Sequence, residues 1–137
     1  MENKTIFRLL AVPAVIALVA APGGAQKTPT RESAFACDRS ALTPEARKRH
    51  FDELGPALRT KVNAMRELPN GFEFGLASDA STAQLVSEWA VGEHLCCPFF
   101  DIELRWEREG GGLWLRLTGR EGVKQFIQAD FKRWFHE

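Results

Sequence analysis

Three consecutive glycines, Gly110-Gly111-Gly112, separate two runs in which apolar and polar residues alternate. Phe100, Ile102, Leu104 and Trp106 precede them, and Leu113, Leu115 and Leu117 follow. Successive strand side chains point to opposite faces, so each run carries one apolar face. A glycine-rich turn between two such runs predicts a β-hairpin. Phe72, Phe74 and Leu76 alternate in the same way after the turn Pro69-Asn70-Gly71. An antiparallel sheet with one apolar face needs a cover, and the remaining apolar patterns are helical.

Thr43-Pro44-Glu45 reads as a helix start, with Thr as N-cap, Pro at the first helical position and an acid in the first turn. Phe51, Leu54, Leu58, Val62, Met65 and Leu68 then recur in steps of three and four, predicting one helix kinked at Gly55-Pro56. Ser81 with Gln84 predicts a capping box for a second helix, ending near Leu95 because Pro98 disfavours helical backbone at Cys97. A last helix follows Gly119-Arg120-Glu121-Gly122, with Val123, Phe126, Ile127, Phe131 and Trp134 inward. The order α-β-α-β-β-α predicts an α+β fold, a single small domain over 43–137 with helices packed on one face of an antiparallel sheet. Four Trp and ten Phe supply ample core material.

Lys4 and Arg8 precede an apolar run from Leu9 to Ala21, and small residues Gly23-Gly24-Ala25 follow. This predicts a signal peptide over 1–25 and a periplasmic or secreted protein. The run is shorter than the roughly 20 residues of a membrane span, so no stable membrane insertion is expected after cleavage. Residues 26–42 read as a poorly ordered leader. Formal net charge is zero and no long basic run occurs, which gives no electrostatic case for nucleic acid.

Chemistry concentrates in Glu93-His94-Leu95-Cys96-Cys97-Pro98. Neighbouring Cα atoms lie about 3.8 Å apart, below the roughly 4.4–6.8 Å of a relaxed disulfide, so Cys96 and Cys97 are poorly placed to bond each other. Three cysteines is an odd count. A bridge from Cys37 to either Cys96 or Cys97 and a free pair are both open. Helix numbering puts Leu85, Trp89, Gly92 and Cys96 on the core stripe, Glu93 beside it and His94 outward. Cys96 ends the helix and Pro98 extends Cys97, so the two sulfurs need not point apart. Glu93, three and four residues upstream, is the best third ligand. Soft thiolates favour Cu(I), Zn(II) or Hg(II).

A nucleophilic role for Cys97, the member of the pair expected to be exposed, is disfavoured. A helix C-terminus raises a thiol pKa, whereas reactive cysteines sit near cations or helix N-termini. His50 and His136 lie on helical patterns with no partnering motif, and no Ser-His-Asp, paired-carboxylate or phosphate-loop arrangement is present. The pattern therefore favours a non-enzymatic protein. The Gly119–Lys124 turn is better explained by glycine dihedrals than by an anion site.

The run Trp89-x-x-x-Glu93-x-x-Cys96-Cys97-Pro98-Phe99-Phe100, followed by Leu113-Trp114-Leu115-Arg116-Leu117-Thr118-Gly119, resembles a small, uncharacterised bacterial family with a Glu-x-x-Cys-Cys-Pro-Phe motif. The resemblance spans about Thr43 to Phe135, and Arg120 stands where that pattern carries proline. The family is associated loosely with heavy-metal and mercury settings, which implies metal or thiol chemistry. The resulting expectation is an exported protein holding a soft metal ion through Cys96, Cys97 and Glu93, with a metal ion or small molecule as partner. The alternative is an interaction or ligand-binding module with structural cysteines, in which Trp106, Trp114 and Trp134 form a core or a partner patch. A thiol oxidoreductase is third.

Overall fold

Thr43 caps the first helix as its side chain requires: its hydroxyl accepts from the Ala46 N–H at 3.2 Å, and Pro44 takes the first position. The computed structural model describes residues 32–134, which fall in one compact unit, and the expected signal peptide lies outside them. Helix α1 is α-helical over Pro44–Lys48, π-helical over Arg49–Leu54 and α-helical again over Gly55–Arg59. Pro56 has no N–H to donate, and its ring crowds the carbonyl four residues back. The widened turn immediately before it lets the Gly55 N–H bond the His50 carbonyl. A π-turn is where a helix redirects side chains, often at functional sites. His50 stands at the start of this one.

The expected continuation of α1 to Leu68 does not occur. Val62–Leu68 is strand β1, paired antiparallel with β2, Gly71–Leu76, across the turn Pro69-Asn70. Every residue between Val62 and Leu68 is exposed, so this edge strand carries no alternation, and its apolar spacing of three mimics a helix. Pairing with β2 overrides that local signal.

Helix α2 spans Ala80–Cys96. Its cap is Asp79 rather than the expected Ser81. The Asp79 carboxylate accepts from the Thr82 N–H at 3.0 Å and from the Ser81 and Thr82 hydroxyls, bonds that hold it well below the usual carboxylate range. A carboxylate that gathers three donors outcompetes a serine hydroxyl at this position. Strands β3, Asp101–Trp106, and β4, Leu113–Thr118, form the expected hairpin. Helix α3, Val123–Asp130, starts from Gly122, whose φ of 97° belongs to the left-handed region that favours glycine.

The sheet has four antiparallel strands in the order β1-β2-β4-β3. Phe72, Phe74 and Leu76 lie opposite Leu117, Leu115 and Leu113, and all six are buried on the face that the helices cover. The fold class is thus α+β, with one more strand than expected. Trp89, Phe131, Trp134 and Phe74 meet above this face as an aromatic cluster. Of the other two tryptophans, Trp114 is buried and Trp106 is exposed. The segment expected to be a loose leader is packed over its described part. Leu42 is buried, Arg39–Ala41 forms a 3-10 turn, and the Asp38 N–H donates to the Cys96 carbonyl at 2.7 Å.

The opposite face of the sheet is a charge lattice. Glu73 is buried there, and Arg116 donates to it from Nε at 2.9 Å and Nη2 at 2.7 Å. Arg66 and Arg105 stand 3.7 Å away, and Arg66 stacks on Trp114. The Glu73 bonds raise the Arg116 pKa further above its ordinary range. Breaking a fully buried pair costs about 3–5 kcal/mol, but Arg116 reaches water, so Glu73→Ala should cost nearer 2 kcal/mol. Urea denaturation measures this, and a loss below about 0.5 kcal/mol, the value of a surface pair, would show that the lattice contributes little.

Candidate metal centre

The last turns of α2 bring the chemistry together. Its buried stripe runs Thr82, Val86, Trp89, Glu93, Cys96, in steps of four and three. Glu93 therefore lies in the core rather than beside it, while Leu85 and Gly92 are only half-buried. The stripe is turned toward Glu93 because His50 of α1 fills the space over Gly92. A methyl group at position 92 would come within 2.4 Å of His50 Nδ1. The ring stacks on Trp89 with centroids 5.8 Å apart and meets Phe51 edge-on.

Both His50 and Glu93 are nearly devoid of solvent contact, and His50 Nε2 lies 2.9 Å from Glu93 Oε2. The same nitrogen stands 4.0 Å from Cys96 Sγ. Nitrogen, oxygen and sulfur thus converge from three buried residues, with all three atoms within 4.8 Å of one another. His50 Nδ1 has no hydrogen-bond partner among the described residues, so the ring commits only Nε2. A nucleophilic triad would use both ring nitrogens, one toward the thiol and the other toward the carboxylate. This ring turns one nitrogen toward both, hydrogen-bonded to Glu93, and leaves the other without a partner among the described residues.

The sulfurs of Cys96 and Cys97 lie 3.5 Å apart on one side of the helix exit. Cys97, however, is bonded to Cys37 in a disulfide that spans 60 residues. Cys96 is the free thiol. Cys97 is fully buried, not exposed as expected, because the 32–42 segment folds over it. Cys37, Cys96 and Cys97 form a second group of close sulfurs, within 4.8 Å of one another, and Cys96 belongs to both groups. Burial, followed by the negative charge of Glu93, pushes the Cys96 thiol up to about 12. A helix-end dipole was expected to act in this direction, yet removal from water is the larger cause.

The structure therefore brings together two of the three expected ligands, Glu93 and Cys96, and ties the third, Cys97, to Cys37. His94 is exposed, as expected. His50 escaped sequence reasoning because its partners lie 43 and 46 positions away. The local signal was Gly92, one helix position before Glu93, where the absence of a side chain makes room for a ring.

No family profile, curated protein or solved structure matches this chain. No helix among the described residues is long and apolar enough to cross a membrane, and the disulfide is compatible with an oxidising compartment.

The described cysteines set a thiol count. Cys96 is fully buried and its thiol pKa is pushed up to about 12, so native, unreduced protein should resist iodoacetamide. Denaturation without reductant should then expose one alkylatable thiol, mapped to Cys96. Three such thiols would mean that the Cys37–Cys97 bond does not form.

Proposed function

We propose that the protein binds a metal ion in its oxidised form through His50 Nε2, Glu93 Oε2 and Cys96 Sγ, and that Zn(II) suits this donor set best. The observation that carries the reading is the convergence of three different buried ligand atoms, with Glu93 Oε2 and Cys96 Sγ lying 2.9 and 4.0 Å from His50 Nε2. Zn(II) accepts cysteine, histidine and glutamate together, and three protein ligands leave one position for water or another ligand. Cys97 enters the coordination sphere only when its bond to Cys37 is opened. Cys96 and Cys97 then offer a thiolate pair, the donor set that Cu(I) and Hg(II) prefer. The heavy-metal setting implied by the Glu-x-x-Cys-Cys-Pro-Phe motif agrees with that second state. The leader-like N-terminal sequence and the disulfide support a periplasmic or extracellular setting for this function.

Anaerobic titration of oxidised protein should show one Zn(II) per chain, abolished by Cys96→Ser and by His50→Ala. Uptake unchanged in both variants would refute the assignment.

The ligand set gives a signed pH dependence. Coordination needs the Cys96 thiolate, and the apo thiol is protonated throughout the neutral range because its pKa is about 12. Binding therefore expels a proton, so affinity should weaken by at least about tenfold for each unit of pH lowered. Competition titrations between pH 6.5 and 8 measure this slope, and a flat profile would exclude Cys96 from the site.

Gly92→Ala offers a structural control. Alanine improves helix propensity by about 1 kcal/mol, but the new methyl must displace the His50 ring. Helicity by circular dichroism should hold while Zn(II) affinity falls at least about tenfold, as losing one oriented ligand implies. Full affinity in this variant would contradict a role for His50.

A further inference from the structure

The disulfide is asymmetric in its access. Cys97 is fully buried against Cys96 and the core, whereas Cys37 is half-buried and lines a cavity of about 520 Å³. That volume falls within the range of small-molecule sites. Its walls are aromatic, formed by Phe51, Trp89, Phe131 and Trp134. Its charged lining is uneven. Arg39 and Arg59 both contribute, and neither has an acidic salt-bridge partner among the described residues. Arg39 rests instead over the Phe51 ring, 3.9 Å from its centroid. Of the two carboxylates on the lining, Glu93 is already engaged with His50, and Asp130 is exposed. The lining therefore includes two arginines against one solvated carboxylate. Arginine is the residue best suited to a carboxylate in such a setting, because its planar fork matches the two oxygens.

We propose that this cavity admits a small carboxylate-bearing thiol, which exchanges with the disulfide at the Cys37 sulfur. The guanidinium groups hold the carboxylate at the mouth, and the thiolate meets the only sulfur of the pair that faces the cavity. The incoming thiolate forms a new S–S bond to Cys37 as the Cys37–Cys97 bond breaks. The electron pair of the broken bond leaves on Cys97, and the proton shed by the incoming thiol ends there. One thiol and one disulfide are consumed and one of each is formed, so no further oxidant or reductant is required. The Cys97 sulfur is released 3.5 Å from that of Cys96. The exchange needs no metal and stands independently of the zinc assignment.

The test uses oxidised, metal-free wild-type protein and three thiols of different charge: 3-mercaptopropionate, 2-mercaptoethanol and cysteamine. Disulfide opening under excess thiol is read by acid quench, denaturing alkylation and intact mass, with each rate corrected for its thiolate fraction. The anionic thiol should react at least about tenfold faster than the cationic one, within the range of electrostatic steering. Arg39→Ala combined with Arg59→Ala should remove that preference, slowing 3-mercaptopropionate more than 2-mercaptoethanol and cysteamine least. Equal or inverted rates in the wild-type protein would overturn the proposal, as would a preference that survives the double substitution. The attack site is read separately: wild-type protein acid-quenched after brief exposure to 3-mercaptopropionate should carry the mixed disulfide on Cys37, and an adduct on Cys97 would also overturn it. The comparison of three thiols needs no variant, so it decides the question even where a substituted chain fails to fold.

Discussion

The burial of Cys96 is the constraint around which the rest of the structure is arranged. A thiol at the last position of a helix would ordinarily face water, yet this one is sealed by three layers. The 32–42 segment crosses it and takes its carbonyl through the Asp38 N–H, the Cys37–Cys97 bond fastens that segment, and His50 closes the side toward α1. A thiol in this position stays protonated, and the carboxylate beside it reinforces that state. Neutrality in the apo protein and ligation by a cation are two answers to the same electrostatic problem. A bound cation reverses the penalty that burial and Glu93 impose, because its own charge offsets the carboxylate and the thiolate.

The strap over Cys96 also links stability to chemistry. In the chain-entropy view a bridge closing a loop of 60 residues contributes about 4 kcal/mol. That is a large share of the 5–15 kcal/mol by which domains are typically stable. Opening the bridge would loosen the cover and supply a second thiolate in one event. The sheet shares one buried core with Cys96 and Cys97 on its inner face, and its outer face is held separately by Glu73 and its arginines. The framework that carries α2 thus has stabilisation of its own that does not depend on the bridge.

Much of the fold was legible in the sequence because strands with one buried face and helices with one buried stripe advertise themselves. The β3–β4 hairpin, β2, α3 and the exit of α2 at Cys96-Cys97-Pro98 all follow from period and turn chemistry. β1 did not, because an exposed edge strand has no buried face to impose alternation, and Val62, Met65 and Leu68 happened to continue the phase of α1. The site was half legible. Glu93 and Cys96 share one helix, so their proximity is a matter of local geometry. His50 reaches them only through tertiary packing of α1 on α2, and the choice of Cys97 over Cys96 as the partner of Cys37 depends on how the N-terminal strap crosses the helix. Neither is encoded in a local pattern.

The account rests on one sulfur, one nitrogen and one carboxylate oxygen meeting at a single ion. Zinc K-edge X-ray absorption on oxidised protein loaded with one equivalent of Zn(II) tests this directly. One sulfur scatterer at about 2.3 Å, together with nitrogen and oxygen neighbours at about 2.0–2.2 Å, is the predicted result. A first shell of nitrogen and oxygen alone would place the ion elsewhere and contradict the assignment of Cys96.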